Sequence, residues 1–216
     1  MYRTILFDLD GTLTDSKEGI FNCLRYAFEK LDEPVPPEDT LLRFIGPPLQ
    51  DSFQNFCGFD RPTAERGVAY FRERYAVHGK FENAAAPGMP ELCARLKARG
   101  YTLALASSKP EAMCRLICEK YGFTPSLDVI TGSPPVGDWQ KADVIRECLR
   151  RLGKTDLADV VMVGDRKYDV EGAAACGLPC IGVEFFGYAQ PGELAEAGAV
   201  AVVSDAAALE QWLLTH

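Results

Sequence analysis

Two aspartates and a glycine directly follow an apolar run near the N-terminus of the chain. Residues 5–11 read Ile-Leu-Phe-Asp-Leu-Asp-Gly. Because successive side chains of a strand point to opposite faces, Asp8 and Asp10 are expected to share one face at the carboxyl end of this strand. Two carboxylates this close repel each other unless a cation or a shared proton offsets the repulsion. The pair therefore predicts a functional site, in which a magnesium ion binds or one carboxyl group titrates abnormally.

Three further polar segments follow or end predicted strands. They are Ser107-Ser108-Lys109, then Lys141 at the start of a predicted helix, then Gly-Asp-Arg-Lys-Tyr-Asp at 164–169. With Asp8 and Asp10, these segments supply a nucleophile, an acid and base, a hydroxyl donor, a cation and further carboxylates for a metal ion. Such a set predicts a single reaction site if the fold brings the strand ends together.

Strand-like apolar runs alternate with helical patterns through most of the chain. The predicted strands span residues 4–7, 101–106, 127–130, 160–163, 180–183 and 200–203. The predicted helices, with apolar residues at three- and four-residue spacing, span 88–99, 111–121, 140–152, 169–176 and 205–214. This alternation predicts an α/β fold, a parallel sheet with helices on both faces. Ligands bind such sheets at the carboxyl ends of the strands, where Asp8 and Asp10 are expected.

One region lacks this alternation. Residues 16–83 contain only helical patterns, at 17–31, 38–44, 49–56 and 63–78. We interpret the region as a small α-helical cap inserted after the first strand, with 84–88 as the return linker. The predicted domains are therefore an α/β core formed by 1–15 and 84–216, and a helical cap formed by 16–83.

The composition narrows the range of functions. The chain has 216 residues, 47% of them hydrophobic and 25% charged, which is ordinary globular usage. Its formal net charge of −8 argues against a nucleic acid polymer or an anionic membrane as partner, because both require clustered Lys and Arg. No apolar stretch approaches a membrane span and no signal peptide precedes Asp8, so we expect a cytoplasmic protein.

The cysteines are expected to be structural thiols. The eight cysteines form no CxxC pair, and His78 and His216 are the only histidines. A zinc site is therefore not expected. Several cysteines lie inside apolar periodic segments, where a reduced cysteine behaves as a small hydrophobic residue.

The ordered set of motifs resembles a known enzyme family. Asp8-Leu9-Asp10-Gly11-Thr12, a strand-end serine, a lysine and then Gly164-Asp165 with Asp169 are similar to the motifs of haloacid dehalogenase (HAD) superfamily phosphatases with a helical cap. The phosphoglycolate phosphatase-like and 5′-nucleotidase-like groups are the nearest in pattern. The resemblance implies a doubly wound, Rossmann-like core and Mg²⁺-dependent hydrolysis of a small phosphorylated metabolite through an aspartyl-phosphate. The substrate is expected to be phosphoglycolate-like or a nucleoside 5′-monophosphate.

The same resemblance implies catalytic roles. Asp8 would be the nucleophile, and Asp10 the general acid and then the general base, oriented by Thr12. Ser107 would donate a hydrogen bond to a phosphoryl oxygen, and Lys141 would stabilise charge in the transition state.

It also implies ligands for metal and substrate. The magnesium ligands would be Asp8, the backbone carbonyl of Asp10 and Asp165, with Asp169 in support. The expected substrate-binding residues, from the first two motifs and from a cap segment that resembles one facing the active site in these groups, are Gly11, Thr12, Ser108, Lys109, Arg43 and Gly46.

Several alternatives remain open at this point. Lys109 competes with Lys141 for the cationic role, and Ser107 could instead cap the helix that starts near Pro110. The segment from Arg43 to Leu49, which contains the cap residues named above, could instead be a rigid helix connection. The whole chain could also be a β-phosphoglucomutase-like mutase or a catalytically inactive regulatory or binding protein. We expect a monomer or a homodimer.

Overall fold

The chain forms two compact units. The computed structural model describes residues 1–134 and 139–216. We call the unit formed by Met1–Thr14 and Ala85–His216 the core unit, and Asp15–Ala84 the helical unit. The chain passes between them at two short strands, β2 (Thr14–Asp15) and β3 (Ala84–Ala85), which the sequence did not predict.

The core unit contains a six-stranded parallel sheet. The strands are β1 (Thr4–Phe7), β4 (Thr102–Pro110), β5 (Val129–Ser133), β6 (Val160–Gly164), β7 (Cys180–Val183) and β8 (Ala201–Val203). Their order is β5-β4-β1-β6-β7-β8. The strand β1 lies between β4 and β6, with Phe7 in register with Leu105 on one side and Val163 on the other. The predicted doubly wound α/β fold is confirmed.

Helices cover both faces of this sheet. They are α5 (Met89–Ala98), α6 (Glu111–Lys120), α7 (Lys141–Leu152), α8 (Lys167–Ala174), α9 (Glu193–Glu196) and α10 (Ala206–Thr215). Ile5 and Phe7 of β1 pack in one apolar cluster with residues of α5, α6 and α10, whereas Leu6 packs in a second cluster with residues of α7 and α8. The alternation of side chains along β1 therefore feeds two cores, one on each face of the sheet.

Two boundaries near the predicted site differ from the sequence prediction. The strand β4 does not end at Ala106 but continues through Ser107, Ser108 and Lys109, with an irregularity in its pairing to β5 between Ser107 and Pro110. The neighbouring strand holds both ends of this stretch, because Ser107 is in register with Gly132 and Pro110 with Ser133. The helix α8 begins two residues before the predicted start at 169, because Asp169 accepts a hydrogen bond from the backbone N–H of Arg166 at 3.1 Å and so closes its first turn.

The helical unit contains α1 (Lys17–Leu31), α2 (Glu38–Leu42), α3 (Leu49–Cys57) and α4 (Arg61–Val77), followed by a 3₁₀ turn at Gly79–Phe81. The helix α4 starts before the predicted residue 63 because the Asp60 side chain caps it, accepting from Thr63 N at 2.9 Å. Phe28, Phe44 and Phe53 form an aromatic cluster inside this unit.

None of the helices in residues 1–134 and 139–216 combines the length and the apolar content that a transmembrane span requires. All eight cysteines are free thiols, six of them buried.

Candidate active site

Three neighbouring strands bring the segments that contain Asp8, Ser107 and Asp165 to one edge of the sheet. Asp8 follows β1, Ser107 lies near the end of β4, and Asp165 follows β6. The backbone N–H of Asp8 donates to Val163 O at 2.9 Å, which extends the pairing of β1 with β6 by one residue. Because all these strands are parallel, their carboxyl ends share one edge, as the sequence analysis expected.

Lys141 joins this edge from the first turn of α7. Its Nζ lies 2.5 Å from Asp8 Oδ1 and 2.6 Å from Asp169 Oδ1. The three side chains are only 6%, 12% and 5% exposed, respectively. The lysine therefore bridges two buried carboxylates that are distant in sequence, and each contact is a charge-assisted one.

Asp8, Asp165 and Asp169 form a buried carboxylate cluster. Each offers an oxygen atom, and these atoms all lie within 4.8 Å of one another. Asp165 Oδ1 accepts a hydrogen bond from Thr12 Oγ1 at 3.5 Å, whereas the buried Oδ2 of Asp165 has no hydrogen-bond partner among the described residues. The cluster thus holds three acidic groups and one bridging ammonium, with a carboxylate oxygen left over.

The burial of this cluster perturbs its acid–base behaviour. Burial raises the pKa of Asp8 to about 6, although Lys141 opposes the rise and the nearby Asp169 adds to it. Burial, with the charges of Asp169 and Asp8, raises the pKa of Asp165 well above its ordinary value. Burial would lower the pKa of Lys141, but the two carboxylates it bridges outweigh this effect and raise it. Lys141 is therefore held as an ammonium ion.

The second lysine binds a different carboxylate. Lys109 Nζ lies 2.5 Å from Asp10 Oδ2, and the two side chains are 8% and 16% exposed. The buried Oδ1 of Asp10 has no hydrogen-bond partner among residues 1–134 and 139–216. The sequence left the two lysines in competition for one cationic position, but the fold gives each its own partner: Lys141 binds Asp8 and Asp169, and Lys109 binds Asp10.

The hydroxyl groups of Thr12 and Ser107 have partners that the sequence did not predict. Thr12 was expected to orient Asp10, but its hydroxyl group donates a hydrogen bond to Asp165. Asp165 follows β6, which lies on one side of β1, whereas Lys109 belongs to β4 on the other side. Ser107 does not cap α6, because the residue preceding that helix is Pro110; the Ser107 Oγ instead accepts from the backbone N–H of Lys109 at 3.4 Å. Ser107 is buried, and it lies at the strand edge that carries Asp8.

Three glycines allow the close approach of these side chains. A Cβ at Gly11 would overlap the Asp165 carboxylate, and one at Gly164 would overlap the Asp169 carboxylate. A Cβ at Gly172 would lie 2.7 Å from Lys141 Cγ. The sequence analysis did not single out Gly172, although a glycine inside a helix costs about 0.5–1 kcal/mol relative to alanine and is a signal of close packing.

Glu193 is the second residue that the sequence analysis missed. Its carboxylate accepts hydrogen bonds from Arg166 Nε at 2.9 Å and from the backbone N–H of Lys167 at 3.0 Å, so Glu193 contacts the segment between Asp165 and Asp169. Its sequence distance from that segment explains why no local pattern indicated it.

The remaining predicted substrate-binding residues are Ser108, Arg43 and Gly46. The backbone carbonyl of Ser108 accepts from Ser133 Oγ at 2.8 Å. Arg43 and Gly46 belong to the helical unit, where the Arg43 guanidinium lies 4.1 Å from the centre of the Phe56 ring. Residues 135–138, which precede Lys141 in the sequence, lie outside the described residues.

Known proteins are similar to this chain in sequence and in fold. Residues 5–183 match the haloacid dehalogenase-like hydrolase family. A protein from Pseudomonas aeruginosa named 5′-nucleotidase is 39% identical over 100% of this chain and 97% of its own length. A plasmid-encoded phosphoglycolate phosphatase from Cupriavidus necator is 30% identical over 95% of this chain and 90% of its own length.

Two further matches extend the comparison. A protein from Mycobacterium tuberculosis named tyrosine-protein kinase PtkA is 34% identical over 97% of this chain and 70% of its own length. The crystal structure of a predicted phosphatase from Clostridium acetobutylicum covers all of both chains, with a TM-score of 0.93 and 39% identity. The family match covers most of the chain, and the relatives align over nearly its whole length. The chain belongs to the haloacid dehalogenase-like hydrolase family.

Proposed function

We propose that the protein is a phosphomonoester hydrolase that acts on a small phosphorylated metabolite, either phosphoglycolate-like or a nucleoside 5′-monophosphate. The observation that carries the proposal is the buried Asp8 carboxylate, held 2.5 Å from Lys141 beside two further carboxylates at the carboxyl edge of the sheet. Relatives named 5′-nucleotidase and phosphoglycolate phosphatase support this choice of substrate class.

The carboxylate cluster fits a divalent cation such as Mg²⁺. Its three acidic groups exceed the charge of Lys141, and Asp165 Oδ2 is buried without a hydrogen-bond partner in the described part of the chain. Hard carboxylate oxygens are the ligands that Mg²⁺ prefers. In our proposal Asp8, Asp165 and Asp169 hold the ion, together with the backbone carbonyl of Asp10. When bound, the ion supplies positive charge that reduces repulsion between the carboxylates and the incoming phosphate.

The first half of the proposed reaction transfers the phosphoryl group to Asp8. Because Lys141 binds Asp8 Oδ1, we assign the attack to the other oxygen, Oδ2. A bond forms between this oxygen and phosphorus while the bond from phosphorus to the ester oxygen breaks. In this step Asp10 starts in its acid form, with the proton on Oδ1 because Lys109 binds Oδ2, and it delivers that proton to the departing alkoxide. Ser107 donates to a phosphoryl oxygen during the transfer.

The second half releases phosphate. Asp10, now ionised, takes a proton from water as that water attacks the phosphorus of the aspartyl-phosphate. The bond between phosphorus and Asp8 Oδ2 breaks, which regenerates the Asp8 carboxylate and the acid form of Asp10. Each half-reaction uses the same two aspartates, which the sequence places two residues apart.

Release of inorganic phosphate tests the proposal. The substrates are phosphoglycolate, nucleoside monophosphates, sugar phosphates and p-nitrophenyl phosphate, each with Mg²⁺ and with EDTA. We expect release that depends on Mg²⁺ and that is abolished in Asp8→Asn, which keeps the shape of the side chain but not its nucleophilic charge. If no substrate releases phosphate, or if Asp8→Asn matches the wild type, the proposal is wrong.

A further inference from the structure

We propose that Glu193 is a positioning residue for the cation site, and that it acts through Arg166 and the first backbone N–H of α8. This inference rests on the proposed function, because it concerns the affinity of the carboxylate cluster for a divalent cation. It assigns a role to a residue that lies outside all four sequence motifs.

The segment from Asp165 to Asp169 carries two of the three cluster carboxylates. Its second residue, Arg166, is buried, and both its backbone and its side chain are hydrogen-bonded. Its backbone N–H donates to Asp169 Oδ2 at 3.1 Å. Its guanidinium reaches Glu193, with Nε 2.9 Å from Oε1 and Nη2 3.4 Å from Oε2. The path of the chain between the two carboxylates therefore depends on where Glu193 lies.

Glu193 binds backbone as well as side chain. Its Oε1 also accepts from Lys167 N at 3.0 Å, which satisfies one of the unpaired N–H groups at the start of α8. Its Oε2 accepts from Gln190 N at 3.1 Å, so its own loop holds it in place. The side chain is 8% exposed and its Arg166 partner 7% exposed. These hydrogen bonds outweigh burial and keep the pKa of Glu193 below its ordinary value.

The next residue fixes Glu193 to the sheet. Leu194 is fully buried in the apolar cluster that includes Val170 of α8. It packs against β7 so closely that a Cβ at Gly182 would lie 2.9 Å from Leu194 Cδ1. The short helix α9 is thus anchored by Leu194, and this anchor carries Glu193 to the segment that holds Asp165 and Asp169.

Partners that orient metal ligands from outside the coordination sphere influence affinity strongly. Removing one commonly costs about 10- to 100-fold in metal affinity. Glu193 orients the ligand-bearing segment at two points, so we expect a loss in this range when its charge is removed. An ion pair that merely stabilises the fold would leave the affinity of the folded protein unchanged.

The test is direct binding of Mn²⁺ and Mg²⁺ to the whole chain, by calorimetry and by the electron paramagnetic resonance signal of free Mn²⁺. Glu193→Gln keeps the side-chain shape and is expected to raise the dissociation constant roughly 10- to 100-fold. Arg166→Met breaks the same contact from the other side. The double variant should have a dissociation constant close to that of either single variant, because both changes remove the same ion pair between Glu193 and Arg166.

The matched control is Glu210→Gln. Glu210 also binds an arginine in two places, with Arg95 Nη2 at 2.7 Å and Nε at 3.1 Å, but neither residue belongs to the cluster. Its dissociation constant for Mn²⁺ should stay within about twofold of the wild type, because distant independent sites do not couple.

The outcomes separate the two proposals. A wild-type chain that binds neither ion overturns the proposed cation site itself. A wild type that binds, with Glu193→Gln and Arg166→Met both folded by circular dichroism and both within twofold of it, overturns the role of Glu193. If Glu193→Gln fails to fold, Arg166→Met decides the question alone.

Discussion

Replacement of Lys141 by methionine tests how far one ammonium ion stabilises the carboxylate cluster. Lys141→Met keeps much of the side-chain length and removes the charge between Asp8 and Asp169. Removing one partner of a buried ion pair costs about 3–5 kcal/mol, because the other charge stays buried without compensation. At pH 8, which is above the pKa of about 6 for Asp8 in the folded wild type, the Asp8 carboxylate is charged and we expect this loss in the free energy of unfolding.

The loss should shrink as the pH falls. In the wild type the pKa of Asp8 is raised to about 6, and Lys141 is the main influence that opposes the rise. Without the lysine the folded-state pKa of Asp8 rises further above its unfolded value. A carboxyl group with a raised folded pKa favours the folded state at low pH, and this stability is lost as the pH rises through the folded pKa. For each further unit by which the folded-state pKa of Asp8 rises, the difference in the free energy of unfolding between variant and wild type should be about 1.4 kcal/mol smaller at pH 5 than at pH 8.

The assay is urea unfolding in EDTA followed by tryptophan fluorescence. The two tryptophans, Trp139 and Trp212, both lie in the core unit, so the signal reports the unit that contains Lys141. The matched control is Lys154→Met, which removes a more exposed lysine that lies 2.8 Å from both oxygens of Asp159 and should cost less than about 1 kcal/mol. The reasoning fails if Lys141→Met resembles this control at pH 8, or if its loss is larger at pH 5 than at pH 8.

Three further predictions follow from features of the core unit and from the cysteines. Gly172→Ala should destabilise by roughly 1–3 kcal/mol in urea unfolding, because the added Cβ meets the Lys141 stem, whereas a gain in stability would show that this helix–helix contact is loose. Mg²⁺ at about 100 times its dissociation constant should raise the free energy of unfolding by about 2.7 kcal/mol, and the same addition should have little effect on Asp165→Asn. In the native protein, Ellman's reagent should react rapidly with no more than two thiols, those of the half-buried Cys57 and Cys176, and in denaturant it should react with all eight. Burial raises the pKa of Cys93 to about 12, so rapid labelling of this thiol in the native protein would contradict the packing.

The sequence predicts the regular elements well where one physical signal dominates. The strand β1 and the helix α1 have the predicted bounds because an apolar run and a long amphipathic pattern specify them without competition. The extension of β4 through Lys109 was not predictable, because Ser-Ser-Lys-Pro has weak strand propensity and pairs only because β5 lies beside it. The short α9 was missed for a similar reason, since four residues carry too little periodicity to be recognised.

The motif residues that the fold brings to one edge of the sheet were predictable from the sequence, but their contacts were not. The carboxylates of the first and fourth motifs stand out because each interrupts an apolar strand end. The choice between Lys109 and Lys141 depends on which helix or strand faces which carboxylate, and that is a property of the folded chain alone. Glu193 carries no local signal, because its partners lie 26 and 27 residues earlier in the sequence.

The strand order has a consequence for how the protein is made. The strand β1 is synthesised before the other strands of this sheet but lies between β4 and β6, which are synthesised much later. The contact of Asp8 with Lys141 joins residues 133 positions apart, and that of Thr12 with Asp165 joins residues 153 positions apart. At about 5–20 residues per second, β1 waits on the order of ten seconds for these partners, and the whole unit Asp15–Ala84 is synthesised in between. Such distant pairing is slow to form, so the nascent chain carries an unpaired apolar strand for much of its synthesis, and this strand is exposed to aggregation until its neighbours arrive.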